Sequence, residues 1–275
     1  MTFLQIAVLS VVQGITEFLP ISSSGHLILV PALAGWPDQS LIMDVAVHVG
    51  TLGAVVCYFW RDVWSMVVGL GRLARGRRRD TGGKLVLLIA VGTIPAVIAG
   101  GAIKLTGAET ALRSVELVAW TTIGFGILLF AADRFFLRVR RFEHFTWVQA
   151  LCIGIAQALA LLPGTSRSGI TMTAARMFGF ERQDAARFSM LLAIPTIVAA
   201  AVIEGAELVT HPAPGLIGQL AIAAALSCAV GLLAIAGLMA WLRRAGFAPF
   251  ALYRLLLGGA LLVWVYVYGG GTMIG

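Results

Sequence analysis

Six stretches of this chain, at about residues 43 to 60, 85 to 104, 116 to 133, 185 to 203, 215 to 241 and 248 to 268, are apolar runs long enough to cross a bilayer. Hydrocarbon offers backbone groups no outside partner, so separate runs of this length are helices. The 275 residues leave room for loops but for no sizeable soluble domain, and a single membrane domain over 1–275 is the natural count. Only 12 % of residues are charged, against roughly 25 % in soluble domains.

A net charge of +7 could point to nucleic acid, but the basic residues sit in short clusters between apolar runs. That is the pattern of positive-inside loops, which argues against nucleic-acid binding. Arg61, Arg72, Arg75, Arg77, Arg78, Arg79 and Lys84 follow the first run, against Asp62 and Asp80. Arg134, Arg138, Arg140 and Arg141 follow the third, Arg182 and Arg187 precede the fourth, and Arg243 and Arg244 follow the fifth. All of these read as cytoplasmic. The loops at 105–115 and 204–214 carry Glu109, Glu204, Glu207 and His211 with Arg113 alone among basic residues, and read as outward. Both termini are then expected outside. The N-terminal run lacks a basic flank and is interrupted by Gln13 and Glu17, so it reads as part of the mature fold. Cys57, Cys152 and Cys228 are far apart in apolar sequence and read as buried hydrophobes.

Two further segments, 3–35 and 145–178, are apolar but broken in the middle by proline and small polar residues. Their second arms, near 24–35 and 168–178, would cover roughly 17 Å of a core about 30 Å thick. They cannot span. The alternation of the basic loops makes both re-entrant hairpins, entering from opposite faces. The fold class is therefore an all-α polytopic membrane protein, with six transmembrane helices plus two re-entrant helical hairpins in an inverted-topology repeat. Repeat 1 covers about 1–140 and repeat 2 about 145–270. EFLPISSSG at 17–25 echoes ALLPGTSRSG at 160–169, and the prolines Pro20 and Pro163 lie 143 positions apart. Such repeats bring broken-helix ends together near the midplane around a protein-enclosed cavity.

Each hairpin tip ends one helix at proline and starts another in a Ser/Thr/Gly-rich turn, offering free N–H groups and a positive helix dipole to an anion. Arg167 adds a cation suited to phosphate or carboxylate oxygens, and because an arginine at membrane depth costs at least a few kcal/mol, a purely structural role is disfavoured. Ser22, Ser23, Ser24, Thr165, Ser166, Ser168 and Thr171 can donate further bonds or merely cap the broken helices. Glu17, with Gln13 four residues before it on the same face, suits a hard divalent cation, Mg²⁺ or Ca²⁺; the plainer alternative is a salt bridge to Arg167. His26 lies three residues after Ser23, within reach for proton transfer with that hydroxyl. Asp44 and His48 read as interfacial. Together these groups describe a site for a phosphate ester or anhydride whose tail stays in lipid.

QGITEFLPISSSGHLILV and ALLPGTSRSGITMTAARMFG closely resemble the paired signatures of the undecaprenyl-diphosphate phosphatase family of bacitracin-resistance type. The resemblance extends through FWRD, IPAV and PFALYR, nearly the whole chain. It implies a metal-dependent, multi-pass enzyme of the bacterial cytoplasmic membrane, its site opening to the outer face, that converts a polyprenyl diphosphate to the monophosphate and recycles the cell-wall lipid carrier. It implies roles for Glu17, Ser23, His26, Ser166, Arg167 and Thr171; the position often occupied by Glu in the family is Gln13 here. Ser24-Gly25-His26 and Ser166-Arg167 also mimic the phosphatidic-acid phosphatase class, but that class needs a histidine where this chain has Thr173.

Attack by Ser23 and attack by metal-bound water both remain open. Rival classes are a carrier of prenyl phosphates or small anions, since inverted repeats also build transporters, and an intramembrane serine protease using Ser23 and His26. The glycine-rich helices suit either a homodimer contact or tight internal packing, the latter being favoured.

Overall fold

The computed structural model describes residues 2–36, 41–76, 80–107, 114–210 and 216–268. Arg77, Arg78, Arg79, Glu109, Arg113 and His211, used above to orient the loops, lie outside them. The chain is all-helical in the order α1 (Phe3–Thr16), α2 (Ser23–Ala34), α3 (Leu41–Tyr58), α4 (Trp60–Ala74), α5 (Thr81–Thr106), α6 (Val115–Phe135), α7 (Trp147–Ala158), α8 (Arg167–Met177), α9 (Arg182–Thr210), α10 (Leu216–Leu242) and α11 (Ala248–Tyr268). Among the described residues no strand forms; one isolated bridge pairs Arg140 with Phe180.

Five helices, α5, α6, α9, α10 and α11, are long and apolar enough to cross a membrane, and α3 with α4 makes a sixth candidate bent by 87°. This is a multi-pass membrane protein. Helix α4 occupies what reads from sequence as a cytoplasmic loop. Its exposed apolar stripe, Trp60, Trp64, Val67 and Leu70, recurs every three to four residues, and the opposite side packs on α5. A helix that leaves a span at nearly a right angle with such a stripe suits the leaflet boundary. Helix α9 likewise continues through Thr210, where the sequence reads as loop from 204.

The short pairs α1–α2 and α7–α8 match the two broken segments. At 14, 12, 12 and 11 residues, none of their helices reaches the roughly 20 residues that a span needs. Their first arms pack on spans of the other half of the chain: α1 on α10, and α7 on α5. Glycine permits the second contact, because a Cβ at Gly154 would collide with the Gly92 carbonyl of α5.

Burial is distributed as a lipid solvent requires. Large apolar side chains such as Ile98, Leu105 and Leu256 face outward, while Ser10, Thr51, Arg176 and Arg254 are completely buried. At one end the segments that carry basic residues are tied together. Asp133 accepts from Arg176 Nε at 3.2 Å and from Arg182 Nε and Nη2 at 2.7 and 2.8 Å. Arg187 pairs with Asp62 and lies 4.1 Å over the Phe142 ring. These bonds fix the far end of α8, whose near end forms the site.

Candidate active site

Helix α1 stops where Thr16 turns its hydroxyl back onto the Val12 carbonyl at 2.7 Å and Pro20 follows in the next turn. Phe18, completely buried, anchors this tip in the main apolar core, which leaves its neighbour Glu17 facing the second tip. That second tip is held on α6, where Thr121 Oγ1 donates to the Pro163 carbonyl at 2.6 Å and Thr122 Oγ1 to the Gly164 carbonyl at 3.3 Å. The tips touch directly: Ser168 Oγ donates to the Leu19 carbonyl at 3.1 Å.

The centre of the arrangement is Glu17, only 6 % exposed. Its Oε1 accepts from Arg167 Nη2 at 2.8 Å. Its Oε2 accepts from Ser23 Oγ at 2.7 Å and Gln13 Nε2 at 3.0 Å, and lies 3.6 Å from His48 Nε2. The pairing of Glu17 with Arg167, held open above beside metal binding, is therefore formed. Arg167 spends one more N–H on the Ser189 carbonyl at 3.2 Å, so three of the five donors of its guanidinium remain. These groups line a cavity of about 470 Å³ whose wall mixes polar side chains, Glu17, Ser23, Ser24, Ser166 and Arg167, with apolar ones from Val45, Leu161, Ile197 and Ala200.

The remaining candidates stand around this wall. Ser22 and Ser166 are the N-caps of α2 and α8; Ser166 Oγ accepts from Gly169 N at 3.2 Å, whereas no side chain caps α2. Ser22 and Ser168 pair with Ser24 and Ser166 through their hydroxyls, at 3.3 and 3.2 Å. Thr171 Oγ1 bonds Ser189 Oγ at 2.7 Å and the Arg167 carbonyl at 2.8 Å, holding α8 against α9. His26 is turned towards α11. Its Nδ1 donates to the Ser22 carbonyl and its Nε2 pairs with the Tyr253 hydroxyl, both at 2.6 Å. The carboxylate of Glu17, not the imidazole of His26, thus stands within hydrogen-bond reach of Ser23 Oγ.

Asp44 and His48, read from sequence as interfacial, line the cavity. Their i, i+4 spacing on α3 already placed them on one face; what the sequence lacked was the direction of that face. Arg254 was also missed. It is completely buried on α11, and its guanidinium donates to carbonyls of both tips. An arginine inside an apolar run is itself a signal.

Gln13 Oε1 is buried without a hydrogen-bond partner. An orphaned acceptor beside a carboxylate fits a hard cation, which takes oxygen ligands. Among the described residues no group of three or more His, Cys, Asp or Glu side chains is placed to hold a metal.

The family description "Bacitracin resistance protein BacA" matches residues 6–260. Undecaprenyl-diphosphatase 1 of Rhodospirillum rubrum is 48 % identical over 273 residues, covering 97 % of this chain and 96 % of its own. The undecaprenyl-diphosphatases of Roseobacter denitrificans and Hahella chejuensis are each 48 % identical, over 266 and 267 residues, covering 97 % of this chain and all of theirs. With a match across most of its length and relatives this similar end to end, the chain belongs to the bacitracin resistance protein BacA family.

Proposed function

We propose that this protein is a membrane phosphatase that hydrolyses undecaprenyl diphosphate to undecaprenyl phosphate and inorganic phosphate. The observation that carries the reading is the meeting of Glu17 and Arg167, 150 positions apart, at 2.8 Å beside the Ser23 hydroxyl. A general base, a nucleophile-grade hydroxyl and a guanidinium with donors to spare are what phosphoryl transfer needs. The mixed lining of the cavity supports the substrate class: its polar side chains suit a diphosphate, and its apolar ones suit the start of an isoprenoid chain. The names of the relatives agree.

The uncapped N–H groups at the start of α2 and the remaining donors of Arg167 bind the non-bridging oxygens of the diphosphate. Glu17 Oε2 orients Ser23 Oγ–H and takes its proton as the Ser23 oxygen bonds to the terminal phosphorus. The bond from that phosphorus to the bridging oxygen breaks, and the prenyl monophosphate leaves. Water then hydrolyses the phosphoserine to free phosphate and restores the hydroxyl. Gln13 and Glu17 would hold Mg²⁺ or Ca²⁺, which would supply further neutralisation of the phosphate oxygens.

Matched positions support the inverted repeat. Gln13 and Gln157, Ser22 and Ser166, and Ser24 and Ser168 each lie 144 positions apart, and the hydroxyl pairs Ser22–Ser24 and Ser166–Ser168 have the same i, i+2 geometry. The basic segments gather at the end away from Asp44 and the start of α3, which supports a cytoplasmic face there and a cavity that opens to the outer face of the bacterial inner membrane.

The test is phosphate release. Detergent-purified protein given a polyprenyl diphosphate with Mg²⁺ or Ca²⁺ liberates phosphate, and chelation, Glu17→Ala or Arg167→Ala abolishes it. Anion flux into liposomes without any release would make the protein a carrier instead. Trapping of ³²P on Ser23, lost in Ser23→Ala, separates serine attack from direct attack by water.

A further inference from the structure

We infer that Arg254 is the positioning residue that sets the separation of the two tips. The inference rests on the phosphatase reading for its kinetic consequence and on geometry alone for its structural one. Five of its hydrogen bonds go to main-chain carbonyls: Pro20 of the first tip at 3.3 Å, Gly164 and Thr165 of the second at 2.9 Å each, and Thr122 and Thr121 of α6 at 3.0 and 3.5 Å.

The tips need such a partner. Where a helix breaks inside a membrane its carbonyls lose their helical donors, and the bonds that Arg254 makes to Pro20, Gly164 and Thr165 are buried, so a side chain must supply the donors there. A guanidinium presents five N–H groups in one plane, so a single side chain can bridge three separate segments. An ammonium, three donors on one atom, cannot span them. The packing is built around the guanidinium: a Cβ at Gly126 would stand 3.0 Å from Arg254 Cβ, and a Cβ at Gly169 would stand 3.0 Å from Nη1. The neighbouring Tyr253 holds His26, so consecutive residues of α11 grip the first hairpin at Pro20 and again at α2. Arg254 does not line the cavity. It acts through Glu17 and Arg167, whose contact exists only while the tips keep their spacing.

The experiment attaches spin labels at Leu19→Cys and Leu159→Cys, with Cys57, Cys152 and Cys228 replaced by alanine, in the full chain in nanodiscs. Distances between the labels are measured by double electron–electron resonance. With Arg254 present the distribution is narrow; with Arg254→Gln it broadens, and Arg254→Lys does not restore it. In the unlabelled protein Arg254→Gln lowers kcat for phosphate release about 100-fold, the scale of a misplacement of about 1 Å, while KM moves less than about threefold. A narrow distribution in Arg254→Gln, or full rescue by lysine, overturns the proposal. If Arg254→Gln does not fold, Gly126→Ala displaces the same side chain and must broaden the distribution, and an unchanged one overturns the proposal equally. A wild-type protein that releases no phosphate refutes the phosphatase reading and leaves the distance measurement to decide Arg254.

Discussion

Ser22 and Ser166, the N-caps of the two second arms, hold the same left-handed backbone, with φ 75° and ψ 95° in one and φ 68° and ψ 109° in the other. They are the only non-glycine residues with positive φ among the described residues. Such a conformation costs a serine about 1–3 kcal/mol and persists only where the surroundings enforce it. Ser22→Gly therefore raises stability by about 1 kcal/mol and lowers phosphate release, since glycine accepts this backbone but does not fix it. Ser166→Gly gains less, because it also loses the cap on Gly169. Thermal unfolding in detergent reads both, and a lower midpoint for Ser22→Gly would contradict the assignment of strain.

Glu17 is buried and Arg167, its partner, is only partly exposed, so removing one charge strands the other. Glu17→Gln is expected to cost about 3–5 kcal/mol of stability and at least about 100-fold in phosphate release. The double variant Glu17→Gln with Arg167→Met is less destabilised than the sum of the single changes. A double-mutant cycle by denaturation checks the coupling; additive effects would mean that the pair does not form.

Ser23 and His26 separate the two proton acceptors considered for the site. His26 spends both ring nitrogens on Ser22 and Tyr253, so His26→Gln is expected to lower phosphate release by less than about 10-fold. Ser23→Ala, which removes the hydroxyl held by Glu17, is expected to lower it by more than about 1000-fold. Equal losses in the two variants would return the base to His26.

At the start of α5, outside the membrane-spanning part, the hydrogen bond from Arg72 and the backbone N–H of Gly83 hold the Asp80 carboxyl below its ordinary range. A carboxyl lowered on folding stabilises the fold above its unfolded value and loses that contribution as pH falls through its folded value. At neutral pH Asp80→Asn is therefore less stable than wild type. The difference closes as the medium is acidified below the folded value, and high salt shrinks it. Unfolding midpoints across pH check the sign.

Much of the site was legible because its residues break a rule. A carboxylate, an arginine and serine clusters interrupt hydrocarbon, and Pro20 and Pro163 mark where the helices end; inverted topology then implies that the tips face each other. What stayed hidden depended on partners remote in sequence. The spacing of His26 from Ser23 allows contact, but Tyr253, 227 positions away, captures the ring. Asp44 and His48 share a helix face whose direction only the packing of α3 decides. Arg254 sits in a run that reads simply as a membrane span, and its five carbonyl partners carry no side-chain signature. Helix α4 was obscured by its own arginines, which fit a basic loop as well as they fit the polar side of an amphipathic helix.

The corner between α3 and α4 turns the first long helix into a ruler. The stretch from Asp44 to Tyr58 rises roughly 20 Å; with Trp60 and Trp64 at one leaflet boundary, as their exposed stripe suits, it would stop short of the far boundary of a core about 30 Å thick. The height of Asp44 on the cavity wall would then be set from that boundary by bond geometry rather than by the surrounding lipid. A diphosphate would then have to sink beneath the headgroup layer to meet Glu17, by a distance that the acyl-chain length of the host bilayer would set.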